Sequence, residues 1–265
     1  MPTLPRFADS LEYDFDVLIV IGANSKIVRE CYPFLTKITR LILVDVDRDE
    51  LADIQNSLRN THPEGVFVLP CLEFYASPTL AIQKLGRIDL KHQTFGVIYA
   101  SAFTGEILKA NRITAPKTGS AKPEDIFDVN VVKFQYAIND LFNSDVHLTS
   151  VVAISSIYAQ KTIDRRLYDG TSMVNPIEYG ASKAAMDQSI RWLAGFYAER
   201  CRFNSVVAGG VLRNQPETFV ERYKSKTSLG RMATESEVAV AICFLLSNTA
   251  SYITGHSLAC DGGFL

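Results

Sequence analysis

The 265-residue sequence has no C-x-x-C pair, only four histidines and a single tryptophan. Its five cysteines (Cys31, Cys71, Cys201, Cys243 and Cys260) are scattered, and four of them sit inside or beside apolar runs. That pattern is not a disulfide framework; it reads as free thiols in a reducing compartment. The histidines also lack ligand spacing, so no metal site is expected. An excess of charge of one sign is missing too: 27 basic against 29 acidic residues leave a net charge of −2, which excludes a general nucleic-acid grip or a polybasic membrane contact. The longest apolar run near the N-terminus, Val17 to Ile21, is far too short to span a bilayer. The segment before it carries Asp9, Glu12 and Asp14 and no apolar stretch of the kind a secretory signal needs, so the cytoplasm is the expected location. With 47% hydrophobic residues there is ample apolar surface to offset the ordering entropy, and disorder is excluded.

A regular alternation fills the chain. Strand-length apolar runs are read at Val17–Ile21, Leu41–Val44, Val66–Leu69, Phe95–Tyr99, His147–Ile154, Phe203–Val207 and Ser257–Cys260. Helical spacing lies between them, over roughly Ser25 to Thr36, around Leu51, Ile54 and Leu58, around Leu80 to Leu85, and over 124–143, 178–200 and 235–247. Continuous apolar strands alternating with helices imply an α/β fold, a parallel sheet covered on both faces. No linker or repeat divides the chain, so one domain over 1–265 is expected, with an N-terminal arm at 1–15. Stretches at 101–121, 157–177 and 208–234 lack periodicity and each follows a strand's carboxyl end. Open α/β sheets bind ligands along that edge, so these are the expected walls of a site, with 157–177 and 208–234 as substrate-side loops.

Tyr179-Gly-Ala-Ser-Lys183 opens a helix. Tyr179 and Lys183 lie on one face a turn apart, where an ammonium favours the phenolate and draws its pKa toward neutrality. The strand ending in Ile154 runs into Ser155-Ser156, Asn130 sits in a helix upstream, and "LGRMA", "FLLSNTASYITG" and "DGG" follow downstream. Together these residues resemble the short-chain dehydrogenase/reductase family over nearly the whole chain. The resemblance implies a single Rossmann-like, doubly wound parallel sheet of about seven strands, order 3-2-1-4-5-6 and then a seventh. It implies Tyr179 as general acid/base, Lys183 as its pKa partner and ribose ligand, Ser156 as the group holding the substrate oxygen, and Asn130 as anchor of a proton relay. It further implies a small-molecule substrate and a homodimer or homotetramer. The stretches "YDGTSMVNPIEYGASKAA" and "GGVLRNQPETFVERY" resemble flagellin-modification and sugar-related oxidoreductases within that family. The segment between Ser156 and Tyr179 is longer than usual there, and it brings Lys161, Arg165, Arg166 and Tyr168 to the mouth, where a phosphate or carboxylate would find partners.

The cofactor side departs from the family. Where the first turn has T-G-x-x-x-G-x-G, this chain has Ile21-Gly22-Ala23-Asn24-Ser25-Lys26-Ile27-Val28, and only the first glycine remains. Lys26 stands where backbone should approach a pyrophosphate, and Val28 where helix and strand should pack closely. Tyr99-Ala100-Ser101-Ala102, Glu73 and Ala208-Gly209 replace other dinucleotide contacts. Asp45, ending the second strand, suits an adenosine ribose and repels a 2′-phosphate, which favours NAD over NADP. For a dinucleotide to bind, Gly22, Asn24, Ser25, Lys26 and Ile27 would have to present the donors. The expected function is interconversion of a hydroxyl and a carbonyl on a polar, sugar-derived substrate. The second reading is a non-catalytic family member acting as a binding or scaffold subunit.

Overall fold

A computed structural model describes residues 9–62, 64–101, 123–171, 173 and 175–264. In chain order it runs β1 (Val17–Ile21), α1 (Lys26–Arg29), β2 (Arg40–Asp45), α2 (Arg48–Leu58), β3 (Gly65–Pro70), α3 (Cys71–Ala76), α4 (Pro78–Gln83) and β4 (Thr94–Tyr99). Then come α5 (Pro123–Phe127), a π-turn (Asp128–Val132), α6 (Lys133–Asn143), β5 (His147–Ser156), α7 (Ile177–Phe196), β6 (Arg202–Ala208), α8 (Glu217–Lys224), α9 (Glu235–Leu246) and β7 (Ser257–Cys260). The seven strands form one parallel sheet in the order β3-β2-β1-β4-β5-β6-β7.

β1 explains why the sheet is sandwiched. All five of its residues are buried. Leu18 and Val20 enter one core, with Ile27, Leu51, Ile54, Val238 and Ile242 from α1, α2 and α9. Val17, Ile19 and Ile21 point the other way, among Phe74, Ile82, Phe134, Ile138, Met186 and Ile190 from α3, α4, α6 and α7. Each such side chain contributes about 1.5–3 kcal/mol on burial, and the alternation makes both faces indispensable. β2 and β4 flank β1, so the connections after β1 and β4 diverge at their carboxyl ends and open the crevice in which such sheets bind ligands.

Four segments differ from the sequence expectation. The helix read over Ser25 to Thr36 is one turn, α1, followed by a 3-10 turn at Tyr32–Phe34, because Pro33 has no N–H to continue the ladder. Val28 is fully buried in the core instead of prising the helix off the sheet. Around Leu80 the chain makes two short helices, broken at Ser77, whose hydroxyl caps the second. The long helix over 124–143 is interrupted by the π-turn, and 208–234 holds the helix α8, whose two short apolar contacts, Phe219 and Tyr223, gave too brief a period to read. Of the three expected walls, 101–121 lies outside the described residues except Ser101.

Gly22 joins the first and fourth connections. Its φ is +85°, and a Cβ there would stand 2.6 Å from both Ala100 C and Ser101 N. Gly86 has a comparable φ of +65° with nothing within 4 Å. Gly22→Ala is therefore expected to lower the unfolding free energy by roughly 3 kcal/mol or more, against about 1–2 kcal/mol for Gly86→Ala. Urea unfolding of the two variants measures the difference, and equal midpoints would contradict this account of the turn.

Candidate active site

β5 and α7 bring the expected catalytic side chains together at the carboxyl edge. Ser156 ends β5, paired with Ala208 of β6. Its Oγ accepts the Tyr158 N–H at 3.3 Å, and its hydroxyl lies toward the Tyr179 phenol, whose pKa it lowers. Strand alternation turns the adjoining Ser155 to the other face, where its Oγ is buried without a partner among the described residues. Tyr179 lies in the first turn of α7. That turn can approach β5 because of Gly180: a Cβ there would sit 2.8 Å from the Tyr158 carbonyl oxygen. Asn130 occupies the π-turn and is fully buried. Its Nδ2 donates to Ser182 Oγ at 2.9 Å, and that hydroxyl donates to the Tyr179 carbonyl at 2.9 Å, so the π-turn is fastened to the start of α7.

Lys183 is 2% exposed and donates from Nζ to the Ile154 carbonyl at 2.7 Å. Its ammonium lies 6.0 Å from the Tyr179 ring centre. Burial draws its pKa down to about 8, and Asp187, one turn further along α7, acts in the opposite direction. Asp187 is itself buried; Oδ1 accepts the Ser205 hydroxyl at 2.9 Å and Oδ2 has no partner among the described residues. Burial raises the Tyr179 pKa, while the Ser156 hydrogen bond and the charge of Arg213 lower it. Arg213, a residue with no spacing signal that sequence reasoning passed over, thus adds its charge to the surroundings of Tyr179, while Lys183 donates to Ile154.

On the cofactor side, Asp45 fastens β2 to the first turn: Oδ2 accepts the Asn24 N–H at 2.9 Å and Oδ1 the Val46 N–H at 2.7 Å. Ser25 N–H closes back onto Gly22 O at 3.1 Å, Ile27 is buried, and Lys26 is exposed. Asn24 Oδ1 is buried with no partner among the described residues. Tyr99 is buried and donates to Val129 O, while Glu73 pairs with Arg48 on the surface at 3.2 Å. Ala102 lies outside the described residues. These donors and acceptors fit the two ends of a dinucleotide. A buried ammonium with a single carbonyl acceptor has N–H groups left for a ribose diol, and Asp45 with the orphaned Asn24 oxygen offers acceptors to the other ribose. Between them, α1 is a single turn and Lys26 replaces bare backbone.

The basic residues expected at the mouth are otherwise engaged. Arg166 makes a two-point pair with Asp164, at 2.9 Å for each contact, and Lys226 shares that carboxylate at 2.9 Å. Arg222 bonds the Asp169 carbonyl. These contacts tie the 157–177 segment to the region of α8, beneath which Leu167, Met173, Phe219, Tyr223 and Met232 form a third cluster. Arg165 and Lys161 are exposed to solvent. Tyr168 is half-buried, and its hydroxyl meets that of Tyr158.

Residues 81–265 match the family described as enoyl-(acyl carrier protein) reductase. The chain is 28% identical over 258 residues to post-translational flagellin modification protein A of Campylobacter coli, covering 94% of this chain and 97% of that one. It is 28% identical over 234 residues to galactitol 2-dehydrogenase (L-tagatose-forming) of Cereibacter sphaeroides, covering 76% and 91%. Its fold superposes on a short-chain dehydrogenase of Leptospira borgpetersenii, crystallised with bound NAD+, with a TM-score of 0.74 at 21% identity over 97% of this chain and 95% of that one. With more than half its length matched and its seven strands in this order, the chain belongs to the short-chain dehydrogenase/reductase family.

Proposed function

We propose that this chain interconverts a hydroxyl and a carbonyl on a polar, sugar-derived substrate with NAD. The observation that carries this reading is the gathering of Ser156 and Tyr179 at the carboxyl end of β5, with the Lys183 ammonium buried 6.0 Å from the Tyr179 ring centre. Tyr179 Oη exchanges a proton with the substrate oxygen, and Ser156 Oγ holds the same oxygen by a hydrogen bond. Lys183 orients the nicotinamide ribose and keeps positive charge near the phenol. Asn130, fastened to Ser182, maintains the path by which the proton is replenished. A bound nicotinamide supplies the hydride exchange. Gly22, Asn24, Ser25, Lys26 and Ile27 line the pyrophosphate turn, and Asp45 takes the adenosine ribose and disfavours a 2′-phosphate. Convergence of four such side chains argues against a purely structural, non-catalytic role.

The names of two 28%-identical relatives, a flagellin modification protein and a galactitol dehydrogenase, support a sugar-derived substrate. Among the described residues no helix is long and apolar enough to cross a membrane, and free thiols suit the cytoplasm. We also expect self-association. Gln135 of α6 and Ser189 of α7 are bonded at 2.8 Å, and these helices with the π-turn leave Val132, Tyr136, Trp192 and Phe196 exposed. Trp192 and Phe196 stack at 4.8 Å and both stay more than half exposed. Exposed aromatics of this kind mark subunit contacts.

Three outcomes test this. With NAD and a panel of alditols including galactitol, NADH absorbance is expected to rise for the parent and to fall about 10²–10⁴-fold in rate for Tyr179→Phe, with thermal unfolding unchanged; equal rates would remove Tyr179 from the chemistry. The second concerns pH. Between about 8 and the ordinary 10.5 the folded protein has shed the Lys183 proton while the unfolded chain retains it, so unfolding takes up a proton and stability rises with pH through that window. The full effect is roughly 3 kcal/mol. Urea unfolding of the parent minus Lys183→Met should show that rise, and a flat difference would contradict the buried ammonium. Third, light scattering should give a multiple of the single-chain mass, reduced toward one chain by Trp192→Glu with Phe196→Glu; a strictly monomeric parent removes the interface.

A further inference from the structure

We infer that Arg213 is an oxyanion-binding residue, taking a carboxylate or phosphate presented beside the Tyr179 hydroxyl. The inference rests on the reading of Tyr179 given above. Arg213 follows the carboxyl end of β6, whose last residue, Ala208, is in register with Ser156. Its connection is held in place: Gly210 N–H donates to Tyr223 Oη, Val211 is bridged to Ala233, and Leu212 N–H donates to the Ala233 carbonyl at 2.8 Å. The Arg213 N–H itself donates to Gln215 Oε1 at 2.6 Å. The guanidinium is fixed at one corner only, where Nε donates to Glu235 Oε1 at 2.9 Å. No described residue accepts from Nη1 or Nη2, and the side chain is 38% exposed.

An arginine pinned at Nε with both terminal nitrogens open is a preorganised fork, suited to two-point binding of a planar carboxylate or a phosphate. Its place in the site follows from the β6 connection, which leaves the sheet at Ala208 beside Ser156 and is pinned to Ala233, and its charge also acts on Tyr179. The other basic groups of the two loops do not compete for this role. Arg166 and Lys226 are spent on Asp164, Arg222 on a carbonyl, and Arg165 and Lys161 face solvent. Around the Tyr179 phenol stand Ser156 from β5, Tyr168 from the 157–177 segment, Lys183 from its own helix and Arg213 from the β6 connection, with Glu235 behind Arg213. The oxyanion has two possible carriers, an acid group on the substrate or the pyrophosphate of the cofactor, and the two can be told apart.

The test uses malonate and inorganic phosphate as probes, read by NMR of isotope-labelled tyrosine with the Tyr179 signal assigned through Tyr179→Phe. In the parent, either anion should cancel the Arg213 charge and move the Tyr179 titration to higher pH. In Arg213→Gln the titration should start higher and respond at least about tenfold more weakly to anion. Arg213→Lys, which keeps the charge without the fork, should fall between and guards against a Gln variant that does not fold. If saturating NADH expels malonate from the parent, the pyrophosphate occupies Arg213; if malonate binds equally with NADH present, the substrate carries the acid. Equal anion response in parent, Gln and Lys variants overturns the inference. None of these readouts needs turnover, so loss of the Tyr179 reading, through an active Tyr179→Phe, is seen separately.

Discussion

The site depends on keeping one ammonium group beneath the carboxyl end of β5. Lys183 is almost wholly withdrawn from water, and a lone buried cation is costly unless nearby dipoles and charges offset it. The Ile154 carbonyl offsets part of that cost. It can do so because β5 and α7 come close, and that approach requires Gly180 against the Tyr158 carbonyl. Asp187 supplies the opposing charge one turn away and is itself steadied by Ser205 from the neighbouring strand. Ser156 and Tyr179 then meet as a consequence: the strand alternation that aims Ser156 at the phenol is fixed by the same registration of β5 with α7. A ligand with a diol would complete the shell that the protein alone leaves unfinished around Nζ.

The second constraint is the divergence at β1 and β4. Both faces of β1 are needed for core, so the chain after it has only one way out, and Gly22 takes it with a backbone conformation closed to other residues. Asp45 then locks the turn to β2 by accepting the Asn24 N–H, while its other oxygen is held by the neighbouring Val46 N–H. That lock does not require the later glycines. It accounts for a first connection that keeps its place although α1 is one turn long and Val28 has been absorbed into the core.

The sheet was legible because burial on both faces forces unbroken apolar runs, and those runs ended within two residues of the observed strands, with β1 and β7 read at their observed limits. Of the four expected catalytic residues, the Tyr179–Lys183 pair was legible through spacing, since four residues on a helix place them on one face, whereas Ser156 and Asn130 were legible only through the family resemblance. Helix interruptions were less so. Pro33 stops α1 and Ser77 divides α3 from α4, but the π-turn at Asn130 leaves no mark in hydrophobic periodicity, since one extra residue in a turn preserves nearly the same buried face. Arg213 could not have been found this way. Its position is set by the β6 connection doubling back on Ala233 and by Glu235 at the start of α9, contacts between residues whose spacing carries no pattern. The residues that spacing did single out at the mouth, Arg166 foremost, were matched to acids only a few positions away.

Arg166 and Arg213 carry the same side chain on the two loops that flank the site, and the difference between them is geometric. Asp164 meets Arg166 with both carboxylate oxygens and fills the fork, so that pair belongs to the wall. Glu235 meets Arg213 at Nε alone and leaves the fork open. Partial pairing of this kind keeps a guanidinium oriented at low cost in side-chain entropy while its outward face remains available, whereas a fully paired or fully free arginine would give up one advantage or the other. The same division recurs at the first turn, where Asp45 is committed to two backbone donors but retains lone pairs for a sugar. In both places a charged group is anchored by one set of contacts and leaves others open, so a ligand in this crevice would meet side chains held half-committed where an intact glycine turn would offer bare backbone.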